Sequence, residues 1–246
     1  MIPLRDANPT RRRPVVTIGL IVACVAVFAY ELAVQSSEGD LGLERLFHDY
    51  GLIPATLTAQ LGGDQADRLY LSLFTILSSM FLHGGWIHLI GNMLYLWIFG
   101  NNIEDRLGRI GFLLFYLGGG VAAAVSQVIV GPQSEVPVIG ASGAIAAVLG
   151  AYVVLYPRAR VLSLVFLGFF YQLLQVPAVI VLGFWFLLQL IDGVASLGVA
   201  SSNGGVALFE HIGGFAAGVV VGLVIRGLGV RGRPRPAHST DKVGVG

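Results

Sequence analysis

Three short polar segments interrupt an otherwise apolar sequence, and they contain residue types that can do chemistry. The first holds His83, His88 and Asn92, the second holds Ser142 within Gly-Ala-Ser-Gly, and the third holds His211 followed by paired glycines. Each has a simpler explanation when taken alone. An interfacial histidine can anchor or cap a helix, a Gly-x-Ser-Gly string occurs by chance, and glycines at a helix start favour packing. Their combination is what points to a reaction.

The chemistry that these residues support together is nucleophilic catalysis. A serine hydroxyl becomes nucleophilic when a neighbouring base takes its proton, and a neutral histidine can later return that proton to a leaving amine. Ser142 and His211 are the predicted pair. The oxyanion would be stabilised by the Ser142 N–H at a helix N-terminus and by the side chains of His88 and Asn92. Glu210 is adjacent to His211 but faces another side of the helix, so the sequence favours a dyad.

Other reactions of this kind fit the sequence poorly. No His-Glu-x-x-His string occurs, and His83 and His88 are five residues apart, so they do not share a helical face. Asp192 is identified as the one acid well inside an apolar segment, whereas a two-aspartate protease needs two. Cys24, the single cysteine, excludes an internal disulfide and a cysteine metal cluster. We therefore expect no metal and no cofactor.

Composition places the chain in a lipid bilayer. Of 246 residues, 55% are hydrophobic and 12% are charged, and a soluble domain carries about 25% charged residues. The mean hydropathy is +0.79. The 34 glycines suit close packing of helices in a membrane. A net charge of +1 gives no indication of nucleic-acid binding.

Six apolar segments are interpreted as membrane spans, of which the fourth is short. They cover about residues 15–34, 85–101, 110–130, 141–156, 177–197 and 211–226. The first is longer than the apolar part of a signal peptide and is interpreted as retained. The predicted organisation is a basic cytoplasmic segment at 1–14, a membrane domain at 15–228 and a disordered cytoplasmic tail at 229–246. A further apolar, proline-bounded piece at 161–176 has no assigned structure.

Basic residues predict the orientation of the spans. With the N-terminus in the cytoplasm, 13 Lys and Arg residues fall inside and two, Arg45 and Arg68, fall outside. Both termini are then cytoplasmic. The second, fourth and sixth spans run inward, which places all three polar segments at their outer ends. At about 1.5 Å per residue, Ser142, His211 and His88 lie at a similar level, roughly 20 Å from the inner boundary.

Small residues line one face of the fourth span and one face of the sixth. The two stripes are Ser142, Ala146 and Gly150, and His211, Gly214, Gly218 and Gly222. Such faces allow two helix backbones to approach closely, and this is also an explanation of the stripes that needs no reaction. If the faces pack together, Ser142 and His211 meet at the top of the contact.

These motifs resemble the rhomboid intramembrane serine proteases. The resemblance rests on His-x4-His-x3-Asn at 83–92, Gly-x-Ser-Gly at 140–143, His-x-x-Gly-x-x-x-Gly at 211–218 and the Glu104–Gly108 turn, and it covers about residues 69–228. It implies an all-α polytopic membrane protein, a six-transmembrane-helix rhomboid-like bundle. It also implies the Ser142–His211 dyad, an oxyanion site of His88, Asn92 and Ser142, and no metal or cofactor. The implied substrates are transmembrane proteins cut in or near the bilayer.

The sequence departs from the family pattern at three places. Phe74-Thr75 stand where many members have Trp-Arg, Ala146 stands where some have a tyrosine that stacks on the catalytic histidine, and Glu210 replaces a frequent alanine. None of these removes Ser142 or His211. The alternatives are an inactive rhomboid-like protein that binds membrane proteins and a small transporter, although no internal repeat supports the latter.

Two further expectations concern the setting of the reaction. The prevalence of arginine over lysine hints at a bacterial source, so we expect a multi-pass protein of the bacterial cell (inner) membrane. Family resemblance implies that substrates enter sideways between the second and fifth spans. Bulky residues there, Phe184, Trp185 and Phe186 on the fifth and Tyr95 and Trp97 on the second, are candidates for a gate.

Overall fold

The computed structural model describes residues 1–167, 170–197 and 208–229, and this part of the chain is mostly helical. The helices are α1 (Val15–Tyr50), α2 (Pro54–Leu61), α3 (Leu69–Ser78), α4 (Trp86–Tyr95), α5 (Asn101–Val130), α6 (Ser142–Leu155), α7 (Ala178–Leu197) and α8 (Leu208–Gly227). The strands are β1 (Ile2–Asp6), β2 (Arg160–Leu167) and β3 (Phe170–Pro177). The predicted tail falls almost entirely outside the described residues.

Within the described residues, three helical stretches are long and apolar enough to cross a membrane: Val15–Tyr50, Trp86–Val130 and Leu208–Gly227. The second consists of α4, a π-helical turn at Leu96–Gly100, and α5. Its 45 residues would measure about 68 Å as one helix, more than twice the roughly 30 Å of a hydrocarbon core. Gly108, with φ of 75°, interrupts α5 at the turn that was predicted between the second and third spans. The chain is an integral, multi-pass membrane protein.

A carboxylate at this turn caps the first helix. Pro14 precedes α1 and provides no side-chain cap. Instead, buried Glu104 accepts hydrogen bonds from the Val16 N–H at 3.0 Å, and from the Thr17 N–H and hydroxyl at 2.8 Å each. The first N–H groups of a helix have no partner within the helix, and a negative charge there is favourable. Glu104 thus fixes the start of α1 against α5.

The described residues are mostly helical, as predicted, but they are not all-α, because β1, β2 and β3 form an antiparallel sheet in that order. The apolar piece at 161–176, which had no assigned structure, forms most of a hairpin. It is rich in β-branched and aromatic residues, which favour strands, and each half is too short to cross a bilayer. Residues 2–6 of the predicted N-terminal basic segment form β1, which pairs with β2.

Polar contacts hold β1 against the helices. The Asp6 carboxylate accepts hydrogen bonds from the Asn102 side chain at 2.7 Å and from the Tyr152 hydroxyl at 3.0 Å. The Asn8 side chain also donates to the Tyr152 hydroxyl, at 2.7 Å. These bonds link the N-terminal strand to α5 and α6, and so place the sheet at the C-terminal end of α6, opposite Ser142.

Helix α6 lies at the centre of the molecule. Every residue from Ser142 to Tyr152 is buried, as expected of a helix that is apolar on all sides. Helices α4, α5, α7 and α8 contact it. The first residue of this central helix is Ser142, and the packing around it decides which groups meet the serine.

Candidate active site

Ser142 and His211 meet in the buried interior. The distance between Nε2 of His211 and Oγ of Ser142 is 2.7 Å. The two residues are 5% and 2% exposed. A bond of this length joins a base to the hydroxyl from which it would take a proton. The structure therefore brings together two residues that lie 69 positions apart in the sequence.

Glycines in α6 and α8 allow this approach. A Cβ atom on Gly214 would collide with the Gly143 carbonyl, one on Gly218 with the Ala147 carbonyl, and one on Gly150 with the Phe215 carbonyl. Each collision is with backbone, which has little freedom to move aside. The small-residue stripes thus pack face to face, with Ser142 and His211 at one end of the contact.

Ser142 begins α6, so its N–H belongs to the first turn, where N–H groups have no helical acceptor. The backbone before it is unusual, since Gly140 has a φ of 126°. The Gly140 N–H donates to the Ser79 carbonyl at 2.8 Å. This turn presents the serine hydroxyl and the free end of the helix to the same space.

The His88 ring lies against this turn. Its Nε2 is 2.7 Å from the position that a Cβ on Gly140 would occupy, so only glycine leaves room for the ring. Its Nδ1 accepts the Gly84 N–H at 3.4 Å. A neutral imidazole whose Nδ1 accepts carries its proton on Nε2. His88 accordingly offers a donor close to Ser142.

Asn92, one turn further along α4, is 6% exposed. Within the described part of the chain its side-chain Nδ2 has no hydrogen-bond partner. An unpaired buried amide is costly and calls for an explanation. A negative charge that forms beside α6 during a reaction would provide the missing acceptor.

A buried support for His88 was not found from the sequence. His83 is 1% exposed, and its ring meets the His88 ring edge-on at 5.2 Å between centroids. The backbone N–H of His83 donates to Oε1 of Glu31 in α1 at 3.0 Å. Glu31 is 2% exposed and lies in the first predicted span, so Asp192 is not the only acid to consider. The side chain of Asp192 lies outside the described residues. The position of Glu31 inside an apolar segment was the available signal.

His211 has an aromatic neighbour that the sequence did not indicate. The Trp185 ring meets the His211 ring edge-on, with centroids 5.6 Å apart. Trp185 is 6% exposed and also contacts Tyr95 at 5.9 Å. A ring from α7 therefore packs against the histidine, although Ala146 places no aromatic ring at its own position on α6. Trp185 lies on the fifth predicted span and contacts Tyr95 of the second, and its ring also packs against His211.

Glu210 is buried, but it does not form a triad with Ser142 and His211. Its carboxyl group packs beside Gly143, and its N–H donates to the side chain of Gln127 at 3.3 Å. Nδ1 of His211 has no hydrogen-bond partner among the described residues. In the same part of the chain, no group of three or more His, Cys, Asp or Glu side chains is arranged to hold a metal ion.

The apolar helices and the buried Ser142–His211 pair define the class: a multi-pass membrane protein with a polar site in its interior. Similarity to known proteins identifies the family. The family model described as Rhomboid domain matches residues 70–228. The chain belongs to the rhomboid family, as the motifs predicted. This family includes proteases and inactive rhomboid-like proteins.

Several relatives are similar over parts of their length. RHOMBOID-like protein 4 of Arabidopsis thaliana is 30% identical over 83% of this chain and 51% of its own. Rhomboid protein 1, mitochondrial, of Saccharomyces cerevisiae is 36% identical over 39% of this chain and 29% of its own. A putative rhomboid protease of Bacillus subtilis is 35% identical over 31% of this chain and 38% of its own. The chain thus spans about half or less of the curated relatives that it matches.

Proposed function

We propose that this protein is an intramembrane serine endopeptidase that hydrolyses peptide bonds in or near the transmembrane segments of membrane proteins. The observation that carries the proposal is the 2.7 Å contact between His211 Nε2 and Ser142 Oγ, at the buried start of α6. Family membership supports it, because the family includes serine proteases that act in the bilayer. The proposal needs no metal and no cofactor.

The reaction follows from the positions of the groups. Ser142 Oγ attacks the carbonyl carbon of the scissile bond while its proton moves to Nε2 of His211. The negative charge on the carbonyl oxygen accepts hydrogen bonds from the Ser142 N–H, His88 and Asn92. The intermediate then expels the amine, which takes the proton from His211. A water molecule then gives a proton to His211 and attacks the acyl-enzyme. The second intermediate releases Ser142 Oγ, which takes the proton back from His211.

The substrate must expose its carbonyl group before this attack. A helix in lipid keeps its carbonyls in internal hydrogen bonds, so we expect substrates with Gly, Ala or Pro near the cut, where unwinding costs less. The predicted six spans and the cytoplasmic termini place that cut near the outer surface. The bacterial cell membrane stays a prediction, because only one of the three relatives named above is bacterial, while the other two come from a plant and a mitochondrion.

A fluorophosphonate probe and a cleavage assay test the proposal together. The full-length protein is reconstituted in liposomes with a transmembrane substrate that carries Gly and Ala near its outer end. We expect wild type to be labelled and to cut the substrate, and Ser142→Ala and His211→Ala to do neither. Ser37→Ala is the matched control, because the Ser37 hydroxyl bonds only to carbonyls of its own helix turn.

The second candidate is an inactive rhomboid-like protein that binds membrane proteins, which the range of activities in the family keeps in view. It predicts no labelling of wild type, and co-purification of the substrate with wild type and Ser142→Ala alike. Labelling that persists in Ser142→Ala at the wild-type level would contradict the proposed nucleophile.

A further inference from the structure

The β2–β3 hairpin is an apolar surface that the proposed reaction does not use. It connects α6 to α7, and no charged residue occurs between Arg160 and Asp192. Both ends run into apolar helices: α6 ends five residues before β2, and α7 begins directly after Pro177. Each strand spans about 26 Å at most, and both strands contact α7.

Strand register separates the two faces of the sheet. On the face toward the bundle, Val161 and Ser163 are fully buried. On the other face, paired positions bring together Ile2, Leu164, Phe166, Tyr171 and Leu173. We call these five residues the outer face. Phe166, Tyr171 and Leu173 are 55%, 71% and 58% exposed, and none of the five carries a charge.

Water is an unfavourable neighbour for such a surface. Soluble proteins rarely expose contiguous apolar patches of several strands, and exposed apolar area costs about 25 cal/mol per Å². The surface is continuous with α7, where Val179 and Ile180 are 57% and 55% exposed on a helix that is apolar enough to sit in lipid. The lipid that would surround α7 would therefore also reach the outer face.

Charges at the base of the hairpin fit a lipid surface. Arg158 precedes β2, Arg160 is the first residue of β2, and Arg5 lies on β1; all three are exposed. Cationic side chains near the surface are attracted to anionic lipid headgroups. Tyrosine is also favoured where an apolar ring meets water. A hairpin with arginines at its base and no charged residue after Arg160 has the polarity expected of a segment between headgroups and acyl chains.

The edge of the sheet limits how deep the hairpin sits. β3 is an outer strand, so one row of its N–H and C=O groups has no strand partner. Such groups cost several kcal/mol each in hydrocarbon, but they find water and headgroups at the interface. We propose that β2 and β3 form an interfacial membrane contact, whose outer face rests at the boundary of headgroups and acyl chains. The leaflet is the one at the C-terminal end of α6.

Site-specific fluorescence tests this seating in the full-length protein. The native Cys24 is fully buried, so an added cysteine can be labelled with NBD. Tyr171→Cys and Leu173→Cys probe the outer face, and Asp64→Cys, in the exposed turn after α2, is the control. Liposomes of phosphatidylcholine and phosphatidylglycerol carry doxyl quenchers at acyl position 5 or 12. Correct folding is checked by an unchanged thermal midpoint.

We expect NBD at both outer-face positions to be quenched more by 5-doxyl than by 12-doxyl lipid, while NBD at position 64 responds mainly to aqueous iodide. Equal iodide quenching at positions 171, 173 and 64 would overturn the proposal. Stronger quenching by 12-doxyl lipid would overturn interfacial seating. A third result would also overturn the proposal: NBD that is protected from iodide, is quenched by neither doxyl lipid, and becomes better protected as the protein-to-lipid ratio rises. That result would assign the outer face to a contact with a second copy of the chain. These readouts do not depend on Ser142, so their failure is separate from failure of the proposed protease function.

Discussion

Substitution of Gly218 by alanine tests whether the contact between α6 and α8 sets the dyad. The added Cβ would lie 2.6 Å from the Ala147 carbonyl carbon and 2.8 Å from its Cα, and closer still to the carbonyl oxygen. Carbon atoms in contact are about 3.5–4.0 Å apart. Helix α8 must therefore move away from α6 by about 1 Å, because backbone atoms of a central helix have nowhere to go.

That movement acts on the reaction through His211, two turns earlier on α8. A displacement of about 1 Å lengthens the 2.7 Å contact between His211 Nε2 and Ser142 Oγ beyond hydrogen-bond range. A misplacement of this size costs about 100-fold in rate. Overpacking also destabilises by about 1–3 kcal/mol. We expect Gly218→Ala to fold with a lower thermal midpoint and to lose about 100-fold in turnover.

A graded series makes the test specific. A Cβ on Gly118 of α5 would meet nothing within 4 Å, whereas one on Gly222 would lie 3.0 Å from Val154 Cβ. Turnover of a transmembrane substrate in liposomes should be unchanged in Gly118→Ala, reduced in Gly222→Ala and lowest in Gly218→Ala. Thermal midpoints show that each variant is folded at the assay temperature. Wild-type turnover in Gly218→Ala, or an equal loss in Gly118→Ala, would refute the reasoning.

Three further predictions follow from individual contacts. Asn92→Ala and His88→Ala should each lower kcat by roughly 10- to 1000-fold, since each removes one oxyanion donor; a raised KM with unchanged kcat would make them structural. Trp185→Ala should lower turnover of an unfolded peptide more than Trp185→Phe does, because the ring beside His211 is lost. If Trp185→Ala cleaved the peptide at the wild-type rate, Trp185 would not support His211 and would act only at the gate. Glu104→Ala should destabilise by about 3 kcal/mol and Thr17→Val by about 1 kcal/mol in chemical unfolding, and equal losses would contradict the capping role.

Hydropathy and motif spacing predicted much of the helical framework. α6 begins at Ser142 and ends at Leu155, within one residue of the predicted fourth span, and α8 contains the whole predicted sixth span. In lipid every backbone group needs an internal partner, so a long apolar segment has few choices besides a helix. The break at Gly108 also falls in the predicted turn. These are local properties, and the sequence contains them directly.

The pairing of Ser142 with His211 was predictable for a related reason. Small residues at helical spacing mark the faces that approach closely, and the two polar residues sit at matching ends of those stripes. Their role in a reaction stays a prediction that Ser142→Ala and His211→Ala will test.

Only the tertiary structure decided the remaining contacts. Residues 161–176 are apolar enough for a helix or a strand, and their pairing with Ile2–Asp6 became visible only in three dimensions. The meeting of Trp185 with His211, and of Glu31 with His83, likewise joins residues on separate helices. Periodicity shows which face of a helix is apolar, whereas helix rotation and depth depend on how every neighbour packs. That is why the sequence indicated the predicted dyad and its predicted oxyanion donors, whereas only the fold revealed Trp185 and Glu31 beside them.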